Sequence, residues 1–308
     1  MIEFRNITKA FGETVIVQDL NFKINKGEFC VLIGPSGSGK STILKMINRL
    51  VEHSAGEVLF AGEPIRSFRP EILRRRIGYA IQSVGLFPHW TVEQNIATVP
   101  QLLGWRPERI AARITELLVL LNLDAARFRN AYPHQLSGGQ QQRVGVARAL
   151  AADPDVMLMD EPFGALDPIT RESLQAELLR IHAATGKTIV FVTHDMDEAL
   201  RLASRLIILE GGKIVQSASP REVLEAPNSS FVREFLGKDD YGLKLLSLQL
   251  VSERMKTVDI PCSPEPVKPD DSLHLALSRM VAAKANRVAV VGPMGERMGT
   301  LFLTDIVT

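Results

Sequence analysis

A chain of 308 residues is long enough for one large domain with a small one, or for two medium domains, and its 45% hydrophobic content can bury a substantial core. The 36 basic and 35 acidic residues leave a net charge of +1, which argues against a nucleic-acid or anionic-membrane binder driven by bulk electrostatics. Cys30 and Cys262 are the only cysteines and form no CxxC pair, so neither a disulfide framework nor a zinc site is expected, as in a reducing cytosol.

The opening MIEFRNITKAF has scattered charges and no apolar core segment, so no signal peptide is expected. IEFRNIT, VQDLNFKI and EFCVLIG read as strands, separated by turns at Phe11-Gly12-Glu13 and Asn25-Lys26-Gly27. FCVLI runs into the glycine-rich GPSGSGKS (34–41), and Ile43, Leu44, Ile47 and Leu50 then recur at helical spacing. EVLFAGEPI (57–65) predicts two strands turning at Ala61-Gly62. A helical region follows, from about 86 to 152. Within it Pro107 suits a first turn, and Ile110, Ile114, Leu117, Leu118 and Leu121 form one apolar face.

VMLMD (156–160) and TIVFVTH (188–194) are almost wholly apolar and flank a helical segment, the pattern of a parallel sheet covered on both faces. Asp195 is expected as a helix N-cap with Glu198 as its capping-box partner. RLIILEGGKIVQSA (205–218) reads as a hairpin turning at Gly211-Gly212. The first domain is expected over residues 2–237. The charged joint Lys238-Asp239-Asp240 opens a second module over 238–308. Its proline-dotted stretch 261–271 precedes an amphipathic helix (Leu273, Leu277, Met280, Val281) and the strand-like VAVVG (288–292) and GTLFLTD (299–305). The longest apolar runs, such as ITELLVLLNL (114–123), fall short of the roughly 20 residues that span a bilayer.

GPSGSGKS fits the G-x-x-x-x-G-K-[ST] phosphate loop and has the required strand before it and helix after it. Gly34, Pro35, Ser36, Gly37, Ser38, Gly39, Lys40, Ser41 and Thr42 are thus expected to bind the phosphates of ATP through backbone N–H groups and a helix N-terminus. Lys40 would reach the β- and γ-phosphates, and the Ser41 hydroxyl would ligate Mg2+. Asp160 ends a buried strand and supplies the matching Mg2+ carboxylate, while Glu161 follows as the group that polarises water. An Asp-Glu pair after a strand is by itself a solvated loop start; beside this phosphate loop it reads as catalytic. In LSGGQ (136–140), Ser137 is a natural N-cap, and Gly138 and Gly139 leave the first-turn N–H groups open to an anion.

The phosphate loop, LSGGQ and the Asp-Glu strand, in that order, resemble the ATP-binding-cassette (ABC) ATPases over roughly residues 2–236. The resemblance implies an α/β P-loop cassette with a mixed sheet core, an antiparallel β subdomain and an α-helical subdomain. It also implies that two copies dimerise head to tail, each ATP lying between one copy's phosphate loop and the other's Leu136, Ser137, Gly138, Gly139 and Gln140. Gln82 matches the family's Q-loop glutamine, which senses Mg2+ and water. His194 matches the switch histidine at the γ-phosphate, Asp167 the D-loop aspartate, and Phe11 the aromatic that stacks on adenine. Gly164 stands where many members have Ser.

One compact cassette without coiled-coil insertion or membrane span resembles a separate transport ATPase. GLFPHWTVEQNI (85–96) is similar to the importer surface that receives a permease helix, which makes Phe87, Pro88, His89 and Trp90 expected partner contacts. The C-terminal stretch resembles a single CBS motif, with Thr304-Asp305 at its ribose position. A cassette followed by such a module resembles the ATPases of quaternary-amine osmoprotectant uptake (glycine betaine, choline, carnitine). That implies ATP and Mg2+ as cofactors, with integral-membrane permeases, a periplasmic or extracytoplasmic solute-binding protein and no nucleic acid as partners. It also implies a peripheral position on the cytoplasmic face of the membrane. Importers of amino acids or sulfonates, and a nucleotide-gated regulatory protein, are the other readings. The osmoprotectant ATPases commonly carry two paired CBS motifs, so a lone one is expected to pair with a second subunit's copy.

Overall fold

The computed structural model describes residues 1–81, 85–164, 166–237, 241–258, 260 and 264–307. They divide into two compact units, Met1–Ser219 and Pro220–Thr308.

In the first unit β1 (Ile2–Phe11), β2 (Thr14–Ile24) and β3 (Phe29–Ile33) precede α1 (Lys40–Ile47). β4 (Ala55–Phe60), β5 (Glu63–Pro64), α2 (Pro70–Arg75) and β6 (Ile77–Ile81) follow. Four helices come next, α3 (Val92–Leu102), α4 (Pro107–Leu120), α5 (Ala125–Phe128) and α6 (Gly138–Leu150). The unit closes with β7 (Val156–Asp160), α7 (Pro168–Thr185), β8 (Thr188–Thr193), α8 (Met196–Leu202), β9 (Arg205–Glu210) and β10 (Lys213–Ala218).

Two sheets share this unit. One is antiparallel, in the order β2-β1-β4-β5. The other runs β10-β9-β3-β8-β7-β6, with β10 antiparallel at one edge and the remaining five strands parallel. Every residue of β3 and β8 is buried, as expected of parallel strands covered on both faces. Because these strands run the same way, their carboxyl ends gather Gly34, Asp160 and His194 along one edge of the sheet. The two tight turns fall where expected. Gly211 (φ 53°) and Gly212 (φ 78°) join β9 to β10, and Ala61 (φ 54°) with Gly62 (φ 88°) joins β4 to β5.

Some local expectations differ. Leu50 lies beyond the end of α1 and is half exposed, because that helix stops at Ile47. Leu121 is buried but serves as the C-cap of α4 rather than part of its run. Asp195 does cap α8, accepting from the N–H groups of Asp197 and Glu198 at 2.9 and 3.1 Å. Glu198, however, does not complete a capping box. The Asp195 N–H donates to Thr193 Oγ1 at 3.0 Å, and the Glu198 side chain turns inward, where it accepts from Gln175 Nε2 at 3.1 Å. Side-chain capping boxes of the Ser/Thr type form at Thr91/Gln94 and Ser137/Gln140.

The second unit contains α9 (Pro220–Glu225), α10 (Ser230–Phe235), α11 (Tyr241–Leu248) and α12 (Leu273–Ala282), then the antiparallel pair β11 (Arg287–Val291) and β12 (Arg297–Phe302), and α13 (Leu303–Val307). It begins at 220, ahead of the expected boundary at 237/238. The reason is bonding among its helices: the Tyr241 hydroxyl donates to the Leu224 carbonyl, Lys244 Nζ to the Leu236 carbonyl at 2.8 Å, and Arg221 pairs with Glu253 at 3.1 Å. Leu273 and Met280 of α12 enter its core as expected, joined by Ala276, while Leu277 is only partly buried. Val281 is 67% exposed, since at 100° per residue it falls on the flank of that face.

Candidate functional site

The phosphate loop leaves β3 at Gly34 and enters α1 through Gly39, which takes φ 96° as the N-cap. A Cβ at Gly39 would lie 2.3 Å from Val17 Cγ1, so both conformation and space require glycine there. α1 has no side-chain cap and no acidic residue in its first turn, which leaves its N-terminal N–H groups and positive dipole end facing the loop. Lys40 folds over this loop and donates from Nζ to the carbonyls of Gly34 (2.7 Å) and Pro35 (2.9 Å). Burial holds the Lys40 ammonium below the usual lysine pKa range, partly opposed by the charges of Glu161 and Asp160.

Ser41 Oγ donates to Asp160 Oδ1 at 2.8 Å, joining α1 to the end of β7. Asp160 is also bonded by the Tyr79 phenol on β6, whose pKa is pushed up to about 12 by burial and then by the Asp160 charge and hydrogen bond. Glu161 follows at φ 46°, a left-handed conformation that costs a glutamate about 1–3 kcal/mol. Its N–H donates to the Val192 carbonyl at 3.0 Å, which holds the turn against β8. That turn aims the carboxylate at the end of β8, where Glu161 Oε2 accepts from His194 Nδ1 at 3.0 Å. The His194 side chain is 62% exposed.

A cavity of about 360 Å³ stands over these groups. Its lining comprises Phe11, Ile16, Ser36, Gly37, Gly39, Lys40, Ser41, Thr42 and Glu161. Phe11 is half exposed, with Lys9 Nζ 4.4 Å from its ring centroid. The residues fit a phosphate-bearing ligand: among the described residues the buried Ser38 hydroxyl has no hydrogen-bond partner, and Lys40 Nζ donates to two neutral carbonyls of its own loop. A hydroxyl and a carboxylate, Ser41 and Asp160, form the hard oxygen pair that suits Mg2+, which takes few protein ligands and completes its shell with phosphate and water. Gln82, the expected Q-loop residue, lies outside the described residues.

Residues 136–140 are not among those lining this cavity. They form the N-terminus of α6, where the Ser137 hydroxyl accepts from the Gln140 N–H at 3.3 Å and Gln140 Oε1 accepts from the Ser137 N–H at 2.9 Å. Leu136 is buried in this chain, whereas Ser137 and Gly138 are exposed. Gly139 has a packing reason beyond anion access, since a Cβ there would lie 2.6 Å from Thr170 Cγ2. Asp167 caps α7, accepting from the Thr170 N–H at 3.0 Å.

Two positioning groups carry no motif signal. Tyr79 sits in an ordinary strand run, and only its pairing beside β7 gives it Asp160 as a partner. Asn95 is fully buried. It accepts from the Phe87 N–H at 2.8 Å and donates to the carbonyls of Phe87, Trp90 and Thr91 at 3.0–3.2 Å, and so shapes the aromatic turn at 87–90. At that turn the rings of Phe87 and Trp90 lie 4.5 Å apart, and Phe87, Pro88 and His89 are exposed.

A family model described as ABC transporter matches residues 17–164. The chain is 56% identical over 306 residues, 99% of each sequence, to the glycine betaine uptake system ATP-binding protein YehX of Escherichia coli. It is 48% identical to the choline transport ATP-binding protein OpuBA of Bacillus subtilis, over 94% of this chain and 75% of that one. A solved dimeric ATP-binding cassette, MJ0796, in a post-hydrolysis state bound to ADP and Pi, superposes with a TM-score of 0.63 at 36% identity. The match covers 71% of this chain and 99% of that one.

Proposed function

This chain belongs to the ABC transporter family as an ATP-hydrolysing subunit, and on that premise we propose that it energises uptake of a quaternary-amine osmoprotectant such as glycine betaine. The observation that carries the substrate class is the 56% identity over 99% of both chains to a glycine betaine uptake ATP-binding protein.

The proposed hydrolysis begins with a water held by the Glu161 carboxylate. Its oxygen attacks the γ-phosphorus in line while a water proton passes to Glu161, the bond to the β,γ-bridging oxygen breaks with its electron pair staying on ADP, and Glu161 gives up the proton as ADP and phosphate leave. Lys40, His194 and the first turn of a second copy's α6 stabilise the charge on the γ-phosphate oxygens. Ser41 and Asp160, with Gln82 by the family pattern, would hold Mg2+, which would supply charge neutralisation. The Glu161–His194 contact at 3.0 Å keeps both side chains at the ends of β7 and β8, where the γ-phosphate would be met. Phe11, half exposed on the cavity wall, is the proposed adenine platform.

In this reading a second copy completes each site through Ser137, Gly138 and Gly139, with Leu136 as the buried anchor of that turn and Asp167 in the D-loop. Membrane-spanning permeases dock on the turn 87–90 and receive solute from an extracytoplasmic binding protein, which places the chain on the cytoplasmic face of the membrane. No described helix is long and apolar enough to cross a membrane. The CBS-like module, proposed to begin after Gly237, pairs with the copy on the second subunit.

Glu161→Gln is expected to bind ATP and dimerise while kcat for phosphate release falls about 10²–10⁴-fold; wild-type turnover would overturn the site assignment. Reconstitution with its permease and binding protein tests the substrate. Glycine betaine, choline or carnitine should stimulate ATP hydrolysis and accumulate in vesicles, and stimulation by an amino acid or sulfonate alone would overturn the osmoprotectant reading.

A further inference from the structure

Arg171 lies in the first turns of α7, four residues after Asp167, and the mechanism above gives it no part. Its guanidinium spans two loops. One nitrogen, Nη2, donates to the Leu166 carbonyl at 3.2 Å, and the other, Nη1, pairs with Asp195 Oδ2 at 3.4 Å. Asp195 directly follows His194 and is otherwise held on every side. Its Oδ1 accepts from the Asp197 and Glu198 N–H groups, and its own N–H donates to Thr193 Oγ1. A shift of Leu166–Asp167 is therefore delivered through a planar fork to the residue that sets the His194 backbone. Arg171 Nε is buried with no hydrogen-bond partner among the described residues, so the side chain carries a desolvation cost at this position. A lysine offers one ammonium point and cannot span the two acceptors in the same geometry. Farther along α7 the buried Glu177 pairs with Arg143 of α6 at 2.8 Å, so the helix that carries Arg171 is also tied to the helix that begins at Gly138.

We propose that Arg171 is a positioning residue that ties the D-loop to His194, so that closure of a second copy at the D-loop sets the switch histidine of the chain's own ATP site. The inference rests on the two-copy reading of the site given above. Coupling then depends on one physical link, from the Leu166 carbonyl through the Arg171 guanidinium to Asp195, the residue after His194.

The test compares full-length wild type, Arg171→Met, Arg171→Lys, Asp195→Asn and the Arg171→Met/Asp195→Asn double variant. Methionine keeps the apolar stem and removes the fork. Arg171→Met is expected to lower kcat about tenfold and to bring the Hill coefficient for ATP toward about 1. ATP affinity, measured in the Glu161→Gln background, and the unfolding midpoint should stay at their unsubstituted values. Arg171→Lys should recover only part of kcat. The double variant should be no slower than the slower single variant, because both substitutions break one link. Wild-type kcat and cooperativity in Arg171→Met would overturn the proposal, as would fully additive losses in the double variant. If Arg171→Met fails to fold, Arg171→Lys and Asp195→Asn carry the same two criteria. An inactive Glu161→Gln beside an unaffected Arg171→Met removes only the role of Arg171, whereas an active Glu161→Gln removes the underlying site.

Discussion

The glycine loop at 34–41 and the glycine-rich helix start at 136–140 use similar residues and are completed differently. The first sits at the carboxyl end of a buried parallel strand. There His194 from the end of the neighbouring β8, and Asp160 and Glu161 from the end of β7 one strand farther on, converge with Lys40 and Ser41. The second starts a helix whose first turn is closed by its own Ser137/Gln140 box, and its residues are not in the lining of the cavity over Lys40. A helix N-terminus becomes a whole site only where the sheet delivers charged partners to it. Without them, in the proposed reading, it is a half-site that a second copy's surface finishes.

The largest expected effect breaks this comparison outright. Mixing a Lys40→Ala chain with a Ser137→Arg chain yields heterodimers in which one site carries both lesions and the other carries none. Such heterodimers should bind nucleotide in one intact site, while each homodimer loses about 10²–10³-fold in kcat. If both sites of the heterodimer are dead, each loop serves its own chain's ATP, and the half-site view fails. Site-resolved nucleotide occupancy decides it.

A smaller effect separates the two glycines of the helix start. Gly139→Ala pushes a Cβ to 2.6 Å from Thr170 Cγ2, whereas a Cβ at Gly138 meets only Leu166 Cδ2 at 3.7 Å. Denaturant titration should show Gly139→Ala destabilised by about 1–3 kcal/mol and Gly138→Ala near neutral. Thr170→Ser removes the offending methyl and keeps the hydroxyl that bonds Asp167, so it should rescue Gly139→Ala. An unrescued variant would show that Gly139 is needed for a reason other than this approach.

The smallest effect probes the scaffold behind both loops. Burial raises the Glu198 pKa above the ordinary carboxylate value, against the opposing hydrogen bonds from Thr193 and Gln175. A raised folded-state pKa means that the contribution of Glu198 is full below its unfolded value and is lost as pH rises through the folded one. Glu198→Gln keeps an acceptor for Gln175 without the buried charge. It should therefore raise the unfolding temperature by a few degrees at pH 7–8, and the difference should vanish toward pH 4. A lowered unfolding temperature at pH 7–8 would show that the ionised carboxylate is the stabilising form.

Much of the fold was legible because its signals are local. The unbroken apolar runs of β3, β7 and β8, the turns at Ala61-Gly62 and Gly211-Gly212 and the Ser137 N-cap are written in neighbouring residues. Glu198 shows where that reading stops. Spacing alone allows it to reach back to its N-cap, but Thr193 already occupies that N–H and Gln175, from another helix, draws the side chain inward.

The sequence by itself determined the phosphate loop, the strand that ends at Asp160 just before Glu161, the order in which LSGGQ stands between them, and the alternation that makes five of the sheet's six strands parallel. Each of these depends on chain neighbours and on backbone geometry that a glycine, a cap or a buried strand dictates. Only the tertiary structure decided that Glu161 bonds His194, that Tyr79 holds Asp160, that Gly139 yields space to Thr170, and that Arg171 bridges Leu166 to Asp195. Tyr79 with Asp160 and Glu161 with His194 join residues distant in the chain, brought together by strand order. Gly139 with Thr170 and Arg171 with Asp195 depend on how α7 seats against its neighbours, and no spacing within a single element encodes either arrangement.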